Sequence, residues 1–353
     1  MDKNAGISKT LAQTRIRRKD QVCRTYELKV DKSHLSVEMR SQLKRLFLEA
    51  KWLYNHLLAQ GKLDRDKLWN ADYKAQAVKV KVKNAFEKRG LRVLSSQMRQ
   101  EMIGRVKDNI VGLSHLKKNG RKVGALKFTS RVRSIPLNQH GITYWINGNR
   151  IHIQRLGDIR VRGTKQIPKG AELANATLLQ KNGDYYVHVT TFQPKPRRRF
   201  KLKSVGTDLG IHTQLVLSNL VKVEEEVPLT DKIRRRHREF SRTEKGGKNR
   251  WKAQLRLDGA YDELTRQKKD IRNKISGKIT RTFKIVCIQN DNFSGWQRMW
   301  GRKVLATAVG GLTRALNKAH TPIQVDRFYP STKKCSGCGA INEIGLDEQT
   351  YRC

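Results

Sequence analysis

Asp208 stands where a short apolar run meets a glycine, in the stretch Val-Gly-Thr-Asp-Leu-Gly-Ile at 205–211. The run predicts a buried strand that ends at the carboxylate. Acids from separate strands and a helix can clamp two Mg²⁺ ions about 4 Å apart, one activating water and the other stabilising the leaving oxygen of a phosphodiester. Alone, an aspartate in this setting is more often a structural residue that caps a turn. The metal hypothesis therefore depends on partner acids.

The composition points to a polyanionic partner. The 353-residue chain has 75 Lys and Arg against 31 Asp and Glu, a formal net charge of +44 at pH 7. It has no apolar run of about 18 residues, the length that would span a bilayer. Five cysteines, two of them in a Cys-x-x-Cys pair, fit a reducing cytosol with a metal site better than disulfides. Nucleic acid is the polyanion that this balance favours.

Two basic clusters are the candidate phosphate contacts. One joins two predicted domains, and the other lies in a helical hairpin around a Gly-Gly turn. On an ordinary helix such charges simply face water, so the solvated alternative stays open. The candidate nucleic-acid-binding residues are Arg197, Arg198, Arg199, Arg234, Arg235, Arg236, Arg238, Arg242, Lys245, Lys248, Asn249 and Arg250.

Periodicity divides the chain into predicted elements. Apolar residues at helical spacing indicate helices within 35–119, with Ser36 at the start of the first. Alternating runs on either side indicate short strands, with Asn-Gly hairpin turns at 147–148 and 182–183. The predicted fold is α+β and multidomain. Its parts are a flexible basic arm at 1–21, an antiparallel β-barrel at 22–34 plus 120–196, a helical insertion at 35–119, an α/β domain at 197–329 with a helical hairpin at 229–284, and a cysteine-containing tail at 330–353.

Several stretches occur in the order that they have in one family. They are TYELKV, AKWLYNHLL, VGTDLGI, the hairpin from SRTEKGGKNR to RNKISGKI, IVCIQNDNFSGWQ and DRFYPSTKKCSGCG. Together they resemble the transposon-encoded TnpB family, compact RNA-guided nucleases related to type V CRISPR effectors. The resemblance implies a WED-like barrel, a REC-like insertion, a ribonuclease H-like (RuvC) α/β domain and a truncated zinc-ribbon tail. It also implies a guide RNA and a double-stranded DNA target, read beside a short flanking motif, as partners of a monomer or homodimer.

The resemblance breaks at the acids. The family's second acid is a strand glutamate, and Gln289 stands in its place. Asp291 follows on the same strand face, roughly 6.6–6.8 Å further along an extended strand. The chain ends at Cys353, where the family continues to a third aspartate. With Asp208, Gln289 and Asp291 as a vestigial set, the chain is most similar to the nuclease-dead TnpB-like repressors (TldR). We therefore expect no enzyme and no functional Mg²⁺, but guided DNA binding that blocks transcription.

Two other functions stay open. An active Mg²⁺-dependent RNA-guided DNA endonuclease of the TnpB type would use Asp208 together with Asp291. A nonspecific basic RNA-binding protein would need no guide and would show no sequence-selective DNA footprint. We expect a cytoplasmic protein of a bacterium or archaeon, associated with the nucleoid.

The tail raises the question of zinc. A structural zinc site usually has four ligands, typically two Cys-x-x-Cys pairs. A partial site here would consist of Cys335, Cys338 and Cys353, and whether zinc binds it is left open. The two remaining cysteines, Cys23 and Cys287, are expected to be small core residues.

A final set of residues corresponds to the family's region beside the flanking DNA motif. Glutamine can read adenine through two hydrogen bonds in a major groove. A core tyrosine with surface glutamines explains the same residues equally well. The candidates are Tyr54, Ser96, Gln97 and Gln100.

Overall fold

The computed structural model divides into two compact units, Met1–Pro196 and Arg197–Cys353. The residues that the structure describes are 3–63, 65–82, 85–211, 213–224, 231–301, 304, 307, 309–330, 333–335 and 337–343. Among the described residues, no helix is both long enough and apolar enough to cross a membrane.

The first unit contains an antiparallel sheet and a set of helices. Its elements are α1 (Lys3–Lys19), β1 (Gln21–Val30), α2 (Val37–Leu63), α3 (Arg65–Trp69), β2 (Ala77–Val82), β3 (Ala85–Gly90), α4 (Ser96–Lys118), β4 (Ser134–Leu137), β5 (Tyr144–Asn147), β6 (Arg150–Ile153), β7 (Gly157–Arg162), β8 (Glu172–Lys181) and β9 (Asp184–Pro194). Seven strands form one sheet in the order β4-β8-β9-β1-β7-β6-β5. Strand β1 therefore sits between strands that follow the insertion, and the described pairings leave β4 and β5 as the two edges.

Alternation along these strands builds the core. Leu28 and Val30 of β1 and Val187 and Val189 of β9 are 0–1% exposed, while the residues between them face outward or lie at the margin. The two Asn-Gly turns were predicted correctly, since they connect β5 to β6 and β8 to β9. At the second turn Asn182 and Gly183 have φ values of 50° and 76°, which fit a type I′ hairpin.

The helix start that the sequence predicted is also confirmed. Ser36 lies one residue before α2 begins, and its hydroxyl accepts a hydrogen bond from the Met39 backbone N–H at 3.1 Å. Inside the insertion, the carboxylate of Glu49 is 0% exposed. It accepts hydrogen bonds from the backbone N–H groups of Val93 and Leu94, both at 2.9 Å, and pairs with Arg45 at 2.8 Å. This carboxylate ties α2 to the segment that precedes α4.

In several details the structure differs from, or adds to, what the sequence predicted. Within the predicted basic arm lies helix α1, whose last turn is basic and pairs with Glu172 of β8 through Arg17 and Arg18 at 2.9 and 2.8 Å. Part of the predicted all-helical insertion is the hairpin β2–β3, because Ala-Val-Lys-Val-Lys-Val alternates with the period of a strand. Cys23 is exposed on β1 rather than buried, and Cys287 lies only partly buried in the second unit.

The second unit is a mixed α/β structure. Its elements are β10 (Leu202–Asp208), β11 (Leu215–Leu217), β12 (Lys222–Val223), α5 (Asp231–Ser241), α6 (Lys248–Thr282), β13 (Phe283–Gln289), α7 (Phe293–Trp300), α8 (Val309–Leu316) and β14 (Thr321–Val325). The sheet order is β12-β11-β10-β13-β14, and β10, β13 and β14 are parallel. Val205 and Val286 of the sheet pack with Ile279 of α6 and Leu312 of α8 in one core. Parallel strands need such long crossovers, and these position their carboxyl ends together.

Candidate functional site

Asp208 and Gln289 end neighbouring parallel strands. Thr207 pairs with Ile288, which are 8% and 1% exposed, so the next residue on each strand points to the opposite face of the sheet. The Thr207 hydroxyl donates to the Cys287 carbonyl at 2.8 Å and fixes this end of the pair. The sheet therefore places Asp208 and Gln289 side by side at the ends of neighbouring strands.

Asp291 does not continue the strand as the sequence analysis assumed. Strand β13 ends at Gln289, and the Asp291 N–H donates to the Gln289 carbonyl at 3.1 Å across a tight turn. A second tight turn follows, in which the Phe293 N–H donates to the Asp291 carbonyl at 3.2 Å. The position of the Asp291 carboxylate therefore cannot be obtained by extending a straight strand from Gln289.

The turn leaves Asp291 within electrostatic range of Asp208. Partial burial raises the pKa of the Asp291 carboxyl above its ordinary value, and the negative charge of Asp208 raises that pKa further. The Arg327 guanidinium acts in the opposite direction without cancelling the rise. A carboxyl whose pKa is raised by burial and by a neighbouring carboxylate is typical of functional sites.

Gln289 is held by the backbone beyond β14. Its Nε2 donates to the Arg327 carbonyl at 3.1 Å, and Arg327 Nε donates to the Asn290 carbonyl at 3.3 Å. Arg327 was missed by the sequence analysis. It is the second residue of the stretch DRFYPSTKKCSGCG, and the parallel pairing of β13 with β14 brings it to this place.

The donor set fits at most a single Mg²⁺ ion. One or two carboxylates together with substrate phosphates are a usual environment for that ion, and Asp208 and Asp291 would be the two. A two-metal site needs further anionic oxygens to hold both ions. Within the described part of the chain, no group of three or more His, Cys, Asp or Glu side chains is placed to hold a metal.

The basic hairpin formed by α5 and α6 contains most of the predicted nucleic-acid contacts, and the structure separates them into two groups. Arg236 and Arg250 have intramolecular partners: Arg236 pairs with Glu239 at 2.6 Å, and the Arg250 guanidinium lies 4.0 Å from the Phe240 ring centroid and donates to the Thr243 carbonyl at 2.8 Å. The exposed members are Arg234, Arg235, Arg238, Arg242, Lys245, Lys248 and Asn249. Of these, Arg234 lies 3.3 Å from the Asp231 carboxylate, and Arg235 lies 3.9 Å from that of Glu239.

A basic recess of about 580 Å³ lies at the turn of this hairpin. Arg242, Lys248 and Asn249 line it, together with the backbone that begins α6. Gly246 has a φ of +90°, a conformation that a side chain would strain, so the turn depends on this glycine. Cations around the first turn of a long helix, beside its unbonded N–H groups, favour an anionic group such as phosphate.

The remaining predicted residues lie apart in the fold. Arg197, Arg198 and Arg199 are exposed in the segment between β9 and β10. Tyr54 of α2 is half-buried against the core of the first unit, which favours its structural interpretation. Ser96 and Gln97 share a hydrogen bond of 3.0 Å in the first turn of α4, and Gln100 is exposed there.

The cysteine turn has a compact local geometry. The Gly337 N–H donates to Cys335 Sγ at 3.4 Å, and the Cys335 N–H donates to the Ala340 carbonyl at 2.8 Å. Cys338 is exposed on the same turn. The third predicted ligand, Cys353, lies outside the described residues, so the partial zinc site stays a prediction.

Comparisons with known proteins give one curated relative. The chain is 24% identical, over 234 residues, to a Streptomyces pristinaespiralis protein described as "Putative RNA-guided DNA endonuclease". The match covers 59% of this chain and 55% of the relative, so the chain spans about half of the length of the protein it matches. No family model matches the chain.

A solved structure also overlaps with the chain. It is the cryo-EM structure of the Cas12f1–sgRNA–target DNA complex, with 12% identity and coverage of 91% of this chain and 89% of that one. The TM-score is 0.27, a value that does not establish a shared fold.

Proposed function

We propose that this protein binds a guide RNA and uses it to bind a matching double-stranded DNA site without cutting it. The expected result in the cell is steric repression of the gene beside that site, by a protein associated with the nucleoid. Base pairing would read the sequence, while the protein would hold the nucleic acids through their phosphates and read a short flanking motif.

Three observations support guided binding. The net charge of +44 suits a protein that holds RNA and a heteroduplex through phosphates. The exposed arginines and lysines of the α5–α6 hairpin, with the recess beside them, offer a place for such contacts. The curated relative is described as guided by RNA and directed at DNA.

The absence of cutting rests on Gln289. A neutral amide occupies the end of β13, beside the Asp208 carboxylate, where a two-metal site would place an acid. Its Nε2 is engaged with the Arg327 carbonyl, so the side chain is built into the sheet end as an amide donor. A glutamate could not make that bond, because an ionised carboxylate has no proton to donate.

The second candidate is an active Mg²⁺-dependent RNA-guided DNA endonuclease. The approach of Asp291 to Asp208 favours it, since two carboxylates and a scissile phosphate can hold Mg²⁺. In that case Asp291 would take the place of the missing strand acid.

The first test is to recover the protein from its native host and sequence the RNA that copurifies. We expect one dominant RNA with a fixed scaffold and a variable end that matches an intact chromosomal site. A match only to the junction left by transposon excision would favour the endonuclease. A mixture of ribosomal and messenger fragments would contradict both guided functions and leave a nonspecific RNA-binding protein.

A further inference from the structure

An exposed aromatic stack lies on the outer face of the seven-stranded sheet of the first unit. Trp145 of β5 and His152 of β6 are directly opposite one another across the strand pair. Their ring centroids are 3.7 Å apart and their planes differ by 7°, so the rings are stacked face to face. Trp145 is 39% exposed, although a tryptophan ordinarily buries most of its surface in a fold.

Two features hold the stack in place: an ion pair made by His152, and the buried residues of the same two strands. His152 pairs with Asp158 of β7, its cross-strand neighbour, with 2.8 Å between Nδ1 and Oδ1. Three of the residues that alternate with the stack, Tyr144, Ile151 and Ile153, are 0% exposed and anchor these strands in the core. The indole is therefore presented by a fixed support and loses little conformational freedom when something stacks on it.

Positive charge lies beside this stack. Arg150 precedes His152 by two residues on the same face of β6, and Arg160 is the cross-strand partner of Arg150 on β7. Both arginines are exposed, and Arg160 contacts His34 Nε2 at 2.7 Å. In the described part of the chain, no carboxylate is within ion-pair distance of either guanidinium, so both remain available to an anion.

A flat, rigidly supported aromatic ring with unneutralised arginines beside it matches a nucleotide in an unpaired stretch. Every base has a π face that can stack on an indole, and the adjoining phosphates complement the arginines. A purely apolar partner would leave both charges uncompensated, and a duplex would keep its bases inside its own stack. Among the described residues, two other tryptophans are exposed, Trp251 and Trp300. Neither shows a face-to-face ring contact of this kind.

We propose that Trp145, supported by His152, is a stacking site for an unpaired nucleobase, with Arg150 and Arg160 contacting the adjoining phosphates. The proposal rests on the proposed function, which supplies single-stranded segments of RNA or displaced DNA. It adds a sequence-tolerant contact on the first unit.

The test uses the full chain freed of copurifying RNA, with a labelled 15-nucleotide oligouridine and, in parallel, oligothymidine. Affinity is measured at low and at high salt, since salt weakens phosphate contacts far more than stacking. Trp145→Ala should weaken binding about tenfold, within the roughly 5- to 150-fold range expected for loss of one stacked base. Trp145→Tyr should stay close to wild type, because it keeps a flat ring.

Ile142→Ala is the matched control. This residue precedes β5 and is 52% exposed, so the substitution removes apolar surface from the same region without removing a π face. It should bind like wild type. If Trp145→Ala binds no more weakly than Ile142→Ala on both oligonucleotides, the stacking site is contradicted; a loss on one oligonucleotide alone identifies RNA or DNA as the source of the base.

Ultraviolet crosslinking of the wild-type protein supplies a measurement that does not depend on how a variant folds. A nucleotide adduct on the peptide that contains Trp145 supports the site, and adducts that spare this peptide contradict it. The two proposals fail separately. If the protein recovered from its host carries no defined RNA, guided function is lost; if it carries one while Trp145→Ala binds as wild type does, only the stacking site is lost.

Discussion

The carboxylates beside the seven-stranded sheet and the carboxylate that follows β13 have pKa values shifted in opposite directions. Beside the seven-stranded sheet, a hydrogen bond from Ser33 and the charge of Arg162 hold the pKa of Asp31 down to about 2. The pKa values of Glu172 and Asp184 are lowered by their basic neighbours, although burial acts against this. In the second unit, burial and the charge of Asp208 raise the pKa of Asp291. The paired acids hold elements of the first unit together, whereas ionisation of Asp291 costs stability.

Glu49 is a further acid of the first unit that has bonded partners, and replacing it should give the largest effect. Glu49→Ala removes the acceptor of two backbone N–H groups in a fully buried position, so the local free energy of unfolding should fall by about 2–4 kcal/mol. Hydrogen exchange of the peptides at the start of α4 measures this loss. Glu49→Gln keeps one acceptor oxygen and should lose less; equal protection in both variants and wild type would contradict the account.

Restoring an acid at the sheet end should give the next largest effect. Gln289→Glu places a third negative charge beside Asp208 and Asp291, and the melting temperature in EDTA should fall by about 2–5 °C. Millimolar Mg²⁺ or Mn²⁺ should reverse the fall, because a cation that binds only the folded state stabilises it.

Gln289→Met controls for the hydrogen bond to the Arg327 carbonyl, which both substitutions remove. Its melting temperature should not respond to the cation. If Gln289→Glu and Gln289→Met melt alike in EDTA and in Mg²⁺, the facing carboxylates do not form a common electrostatic site.

Removing an acid from the same place should have a smaller and opposite effect. The folded-state pKa of Asp291 is raised, so its ionisation costs stability as pH rises through that folded-state pKa. Asp291→Asn should therefore melt about 1–3 °C above wild type at neutral pH. The difference should close below pH 3.8, the ordinary value, where the carboxyl is protonated in both states. An asparagine variant that melts below wild type at neutral pH would show that Asp291 is stabilising.

Asp31 should give the smallest effect, with the reverse dependence on pH. Its folded-state pKa is depressed, so its contribution is present above pH 3.8 and is lost as pH falls toward about 2. Asp31→Asn should melt slightly below wild type at neutral pH and should converge with it in acid. A gap that is independent of pH across this range would mean that the substitution disturbs packing instead of removing a charge.

Local patterns predicted local structure well. Ser36 caps α2 because a hydroxyl three residues before an N–H can reach it, and the Asn-Gly turns form because few other residues accept a positive φ. The β2–β3 hairpin was missed because its short alternation of valine and lysine lies between segments with helical spacing. Those flanking segments led to a helical prediction for the whole of 35–119. Helix α1 was missed because its partner, Glu172, is remote in sequence.

The strand end at Asp208 was predictable from the sequence, but the geometry around it was not. Asp208 ends β10, and the structure pairs this strand with β13, which ends at Gln289. The position of Asp291 could not be read in the same way, because two tight turns of the backbone set it after the strand ends. Arg327 reaches the site only through the pairing of β13 with β14, which sequence periodicity alone does not fix.

The proposed function is DNA binding without DNA cutting, and one experiment measures binding and cutting on the same sample. The purified complex with its own RNA is incubated in Mg²⁺ with end-labelled target DNA, and retention on a native gel is compared with strand length on a denaturing gel. The account predicts target DNA that is retained in the complex and runs at full length. Shortened strands that disappear with Asp208→Ala would contradict the account and establish the endonuclease.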